Sequence, residues 1–155
     1  MKVETVALRP QPMLYLTRRS GMDPAAISRA MGEMFAAMGA FIGERNPPVA
    51  GPPMAIYRDH AADGVTIDLG FPVAEAGAAM EGGEVKAGTT PGGKALKVVH
   101  RGPYDQLRAT YGEIEAHMAR EGIPMPSRSW EVYLNEPGAV PDADLLTEIY
   151  MPLPD

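Results

Sequence analysis

Ser129-Trp130-Glu131-Val132-Tyr133-Leu134-Asn135-Glu136 alternates with a period of two and reads as a β-strand. Trp130, Val132 and Leu134 then point one way and suit a core beneath helices. Glu131, Tyr133 and Asn135 point the other way, setting a carboxylate beside a phenol. A second strand, Leu145–Met151, repeats the arrangement. Leu145, Thr147, Ile149 and Met151 share one face, and Leu146, Glu148 and Tyr150 share the other. Two neighbouring strands that each offer an acid and a tyrosine predict a lined cavity rather than a solvated surface.

Upstream, Lys2–Leu8 alternates as a strand and Met13–Arg18 reads as a second, largely buried one. Asp23-Pro24 starts a helix, with an acidic N-cap before proline at the first helical position. Ile27, Met31, Met34, Phe35, Met38, Phe41 and Ile42 recur at helical spacing to about Glu44, a stripe that reads as core. Asn46–Pro53 is a proline-rich loop, followed by strands Met54–Arg58 and Val65–Val73 around an Asp63-Gly64 turn. After Glu81-Gly82-Gly83 the same order returns. Strands Glu84–Thr89 and Lys94–His100 precede a helix opened by Gly102-Pro103, with Tyr104, Leu107, Tyr111, Ile114 and Met118 on its stripe. That helix stops near Glu121-Gly122, and the two strands of the first paragraph follow.

The unit strand, strand, helix, loop, strand, strand therefore occurs twice, over about residues 1–79 and 80–155 of a single domain. Tyr57 corresponds to Tyr133, Asp68 to Glu148 and Pro72 to Pro152. The expected fold is α+β: a duplicated strand–helix–strand–strand module with antiparallel sheets and both long helices on one side. The opposite faces would curve around a central groove on the pseudo-twofold axis. There Glu131, Tyr133, Glu148 and Tyr150 would meet Ala55, Tyr57, Thr66 and Asp68.

The chain has 155 residues, 45% of them hydrophobic, which suits a globular domain rather than disorder. A formal net charge of −6 without a basic run argues against direct nucleic-acid binding, because phosphates need a basic patch. Cysteine is absent, so disulfides, thiolate metal sites and a cysteine nucleophile are excluded. His60, His100 and His117 lack metal-ligand spacing, and no metal or cofactor is expected. There is no signal-like N-terminus and no apolar run long enough to span a membrane, so a cytoplasmic location is the expectation.

His100-Arg-Gly-Pro-Tyr-Asp-Gln-Leu107, Trp130-Glu-Val-Tyr-Leu-Asn-Glu-Pro137 and Thr147-Glu-Ile-Tyr-Met-Pro-Leu153 together resemble the GyrI-like small-molecule-binding family. This is the fold of the effector-binding domains of AraC-type and MerR-type multidrug-responsive transcription regulators. The resemblance spans essentially the whole chain. It implies that Glu131 is a buried acid that meets cationic, lipophilic ligands while aromatic residues stack on their rings. Such regulators carry a helix-turn-helix ahead of this domain, and too few residues precede the first strand for one here, so a stand-alone binding module is expected.

The chemistry agrees with that expectation. A carboxylate in an apolar groove loses hydration and regains the loss only when paired, so Glu131 without a ligand should have a raised pKa. An organic cation supplies the charge, and aromatic faces add roughly 0.5–2 kcal/mol per ring. The ligand-binding candidates are Glu131, Tyr133, Glu148, Tyr150, Tyr57, Asp68 and Trp130, with Tyr104 and Tyr111 from the second helix. The structural alternative for Glu131 is an ion pair with Arg58 or Arg128. Two further functions stay open. Some stand-alone family members hydrolyse cyclopropanoid alkylating toxins, which would make Glu131, Glu148 and Tyr133 catalytic. Gyrase-inhibiting relatives imply instead a protein partner, either gyrase or a regulator.

Overall fold

The computed structural model describes residues 1–154. Eight strands form one antiparallel sheet: β1 (Glu4–Leu8), β2 (Pro12–Ser20), β3 (Met54–Ala61), β4 (Gly64–Pro72), β5 (Lys86–Thr89), β6 (Gly93–Arg101), β7 (Arg128–Tyr133) and β8 (Leu146–Pro152). Two α-helices, α1 (Pro24–Arg45) and α2 (Leu107–Arg120), follow β2 and β6. The strand order β1-β6-β8-β7-β3-β4-β2-β5 reads the same from either end once β1–β4 are exchanged for β5–β8. The sheets of the two modules are thus continuous, joined where β3 pairs with β7.

The join lies on the pseudo-twofold axis. The shift that carries Tyr57 onto Tyr133 also carries Ala55 onto Glu131, and Ala55 and Glu131 are direct register partners. The edge strands are exchanged: β1 of the first module pairs with β6 of the second, and β5 of the second pairs with β2 of the first.

Both helices cover the same face. Met34 and Met38 of α1 pack on Leu14, Leu16, Ile67 and Leu69, while Ile114 and Met118 of α2 pack on Leu96, Val98 and Ile149. The other face carries a separate cluster of Met13, Met54, Ile56, Ala95, Trp130 and Tyr150, joined by Val6 and Leu8 of the edge strand β1. Strand alternation assigns each residue to one of the two faces of the sheet.

Several local expectations are revised. Asp23 precedes Pro24 at the start of α1, but its side chain makes no cap hydrogen bond. Tyr104 lies in a one-turn 3-10 segment, Tyr104–Gln106, ahead of α2 rather than on its stripe. β7 ends at Tyr133, leaving Leu134 exposed and Asn135 turned back to accept from the Leu146 N–H and donate to the Asp144 carbonyl. Gly64 closes the β3–β4 hairpin at φ 150, where a Cβ would come within 2.0 Å of the Ser20 carbonyl oxygen.

The main correction concerns which face β7 presents to the helices. Trp130 and Val132 belong to the helix-free cluster, so Glu131 and Tyr133 point toward the helices. In β8 the expected parity holds: Ile149 and Met151 lie under α2 and Tyr150 lies opposite. Register explains the mismatch. Glu131 pairs with Ile149, Trp130 with Tyr150 and Val132 with Glu148, so the two acid–tyrosine sets fall on opposite faces.

Candidate functional site

At the axis, between the two helices, Glu131 is 4% exposed and, among the described residues, has no lysine, arginine or histidine in ion-pair contact. Three phenols hold it instead. Tyr133 donates to Oε1 at 2.7 Å, Tyr57 donates to the same oxygen at 3.4 Å, and Tyr111 donates to Oε2 at 2.5 Å. Tyr57 comes from β3, across the join from β7, and Tyr111 comes from α2, so both modules build the cluster. Met31 of α1 touches the Tyr57 hydroxyl through its sulfur at 4.0 Å. Alternation places Tyr57 and Tyr133 beside Glu131 because Ala55 across the join leaves room for its side chain.

Burial pushes the Glu131 carboxyl above its ordinary range. The three tyrosine hydrogen bonds, and more weakly the field of His100, oppose that shift by favouring the ionised form. Tyr133, Tyr111 and Tyr57 are all raised, first by burial and then by the Glu131 charge, so they stay protonated donors. The result is a desolvated acid oriented by three donors and, among the described residues, without a basic side chain in ion-pair contact.

A thin aromatic roof covers the cluster. Phe35 of α1 and Tyr104 each meet the Tyr133 ring edge-on, at centroid distances of 5.9 and 5.8 Å. They are 40% and 36% exposed, so one aromatic layer separates the acid from solvent on that side. A surface groove of about 430 Å³ between α2 and the Ser127–Ser129 segment reaches Tyr111, with Met125, Met151, Glu115 and His60 among its walls. Of the residues lining this groove, Tyr111 is the one that binds the acid.

The expected single groove is therefore divided. Glu131, Tyr133, Tyr57 and Tyr111 come together, with Tyr104 at the rim. Glu148, Tyr150, Asp68 and Trp130 lie on the opposite face and do not meet Glu131, because the β7–β8 and β3–β7 registers alternate them away. On that face the acids are already paired. Asp68 binds Arg58 (2.7 Å) and accepts from Thr17 (2.6 Å), while Glu148 binds Lys97 (2.9 Å) and accepts from Tyr150 (3.0 Å). Trp130 stacks on Tyr150 at 5.6 Å, with planes 10° apart. Arg58 is thus occupied, and Arg128 lies over the Trp130 ring, so neither neutralises Glu131. Among the described residues no cluster of metal-ligating side chains occurs.

Sequence reasoning missed Phe35 and Met31, which read as ordinary core positions of α1. Their stripe does face the sheet, but these two overhang the axis, a position that periodicity alone does not mark.

Comparison with known proteins gives one family and one shared fold. Residues 1–154 match the GyrI-like small molecule binding domain. No curated protein is significantly similar in sequence. Among solved structures, the C-terminal domain of EcmrR superposes with a TM-score of 0.81 at 16% identity, over 99% of this chain and 97% of that one. SAV2435 bound to tetraphenylphosphonium superposes at 0.72 with 9% identity, covering 99% and 94%. A hydrolase from Listeria innocua superposes at 0.62 with 15% identity, covering 99% and 92%. At such identities the likeness is one of fold.

Proposed function

The chain belongs to the GyrI-like small-molecule-binding family, and from that premise we propose that its ligands are lipophilic organic cations held against Glu131. The observation that carries this reading is a buried acid with three phenol donors and, among the described residues, no basic partner. A guest cation supplies the missing charge in a site of low dielectric, and the surrounding tyrosine and phenylalanine rings contribute cation–π attraction. Such recognition needs little directional hydrogen bonding, so it tolerates varied skeletons. Because the acid is roofed, a guest must displace an aromatic lid: Tyr111 where the outer groove ends, or Phe35 and Tyr104 above Tyr133. These are single side chains near the surface, which keeps the rearrangement local.

Titration calorimetry with tetraphenylphosphonium tests the reading. Wild-type protein should bind it, and Glu131→Gln, which keeps the shape and removes the charge, should weaken binding by about tenfold or more, roughly 1.4 kcal/mol. Equal affinity for both proteins would remove Glu131 from its assigned role.

Hydrolysis is the second reading, favoured by the raised Glu131 carboxyl beside protonated phenols, a pairing that can activate water and stabilise a leaving oxygen. Mass spectrometry of strained electrophiles incubated with the protein separates the two readings. Turnover lost in Glu131→Gln would favour the enzyme, and its absence over several compounds would favour binding.

A further inference from the structure

One strand away from Glu131, on the same face, Thr147 is 0% exposed. Among the described residues its Oγ1 is the only buried side-chain nitrogen or oxygen without a hydrogen-bond partner. Its neighbours do not satisfy it. Tyr133, its register partner on β7, gives its proton to Glu131. His100, its register partner on β6, has Nδ1 at 2.7 Å from the Thr110 hydroxyl and Nε2 at 3.2 Å from the Pro103 carbonyl. Native proteins rarely leave such a group unpaired, and each exception calls for a cause.

The repeat supplies a control for what the fold itself demands. The shift that carries Pro72 onto Pro152 carries Ile67 onto Thr147. Ile67 pairs with Tyr57 as Thr147 pairs with Tyr133, and it is equally buried. An apolar side chain therefore serves the same packing position, and the hydroxyl is an addition confined to one module. The same module carries the other unmatched polar groups of the site: Glu131 where the first has Ala55, and Tyr111 where the first has Met31.

We infer that Thr147 Oγ1 is a hydrogen-bonding subsite of the Glu131 pocket, selecting cations that carry an oxygen a short distance from the charge. The inference rests on the cation-binding reading above and narrows its ligand class. Tyr133 and Thr147 are directly opposed, so Thr147 stands diagonally to Glu131, where side-chain origins are about 7–8 Å apart. One guest can span both. Its charge meets the carboxylate, and a hydroxyl, ester or amide oxygen takes the orphan hydroxyl. A cation without such an atom leaves Thr147 as unsatisfied as it is in the free protein.

Two phosphonium probes of nearly equal shape test this: tetraphenylphosphonium and (4-hydroxyphenyl)triphenylphosphonium, which adds one oxygen across a benzene ring from phosphorus. Wild-type protein should prefer the hydroxylated probe by roughly three- to tenfold, one hydrogen bond's worth. Thr147→Val should erase that preference while leaving tetraphenylphosphonium affinity within about twofold, and Thr147→Ser should keep it. Glu131→Gln should weaken both probes alike. The affinity ratio is read within each variant, so a general folding defect does not mimic the result. Wild-type protein that binds both probes equally would overturn the subsite alone. So would a Thr147→Val variant that keeps the preference, or one that only loses thermal stability, the signature of a structural water. Failure of wild-type protein to bind either probe would overturn the cation reading and the subsite together.

Discussion

If Glu131 holds the ligand as proposed, a buried acid whose partners are three phenols would make cation affinity a function of pH. Glu131 is raised above the ordinary carboxylate range, and only its ionised form attracts a permanent cation. Below the raised value, binding must first release a proton. Affinity for tetraphenylphosphonium, whose own charge does not titrate, should therefore fall on acidification by up to about tenfold per pH unit. The fall should begin at a pH above where a solvated glutamate would titrate, and Glu131→Gln should flatten the curve. Stability runs the other way. The folded state holds the proton more tightly than the unfolded chain, so stability is greatest below the unfolded pKa and declines as pH rises through the folded one. Urea midpoints of wild type and Glu131→Gln measured near pH 4 and near pH 8 should diverge at the upper value, with the variant the more stable. The acid and its flanking tyrosine were legible in Trp130-Glu-Val-Tyr133 because the alternation that seats them is local. Thr147 was legible only as one more core residue, since a missing partner is a property of the packed state.

The strands show where reading by period stops. Alternation within β7 and within β8 is correct, but the relative phase of the two strands is set by register, which neither sequence states. Both faces of β7 carry large apolar or aromatic side chains, Trp130 and Val132 against Tyr133, so hydrophobicity did not decide which face the helices cover. The observed phase makes opposite faces separable by mutation. Trp130→Ala should cost about 3–5 kcal/mol in urea unfolding, because it removes a 2% exposed indole stacked on Tyr150. The folded fraction should nonetheless bind tetraphenylphosphonium as wild type does. Glu148→Gln should likewise leave binding within about twofold, since the acid's partner is Lys97. Phe35→Ala should reverse the pattern, changing stability by less than about 1 kcal/mol at an exposed position. It should also weaken the cation several-fold by stripping the roof. A Glu148→Gln effect as large as that of Glu131→Gln would mean that both faces serve one site.

Across the whole molecule, the repeat and its class of fold were legible because the element order recurs with matching landmarks, Tyr57 with Tyr133 and Pro72 with Pro152. The exchange of edge strands was not legible, because pairing of Glu4 with Lys97 is long-range and leaves no local mark. That exchange has a physical consequence. Cut between the modules, residues 1–79 would lose β5 from β2, β6 from β1 and β7 from β3, exposing three strand edges and the apolar residues beneath them. The complementary half would lose the same three pairings from its own side. Each fragment alone should therefore lack a cooperative thermal transition by circular dichroism. Mixed at equal concentration, the two should regain β-sheet signal beyond the sum of the separate spectra. The mixture should also regain tetraphenylphosphonium binding, because the donors to Glu131 come from both pieces, Tyr57 from one and Tyr111 and Tyr133 from the other. A single half that melts cooperatively and binds the cation by itself would show that the join at Ala55 and Glu131 is a seam between independent units rather than the centre of the site.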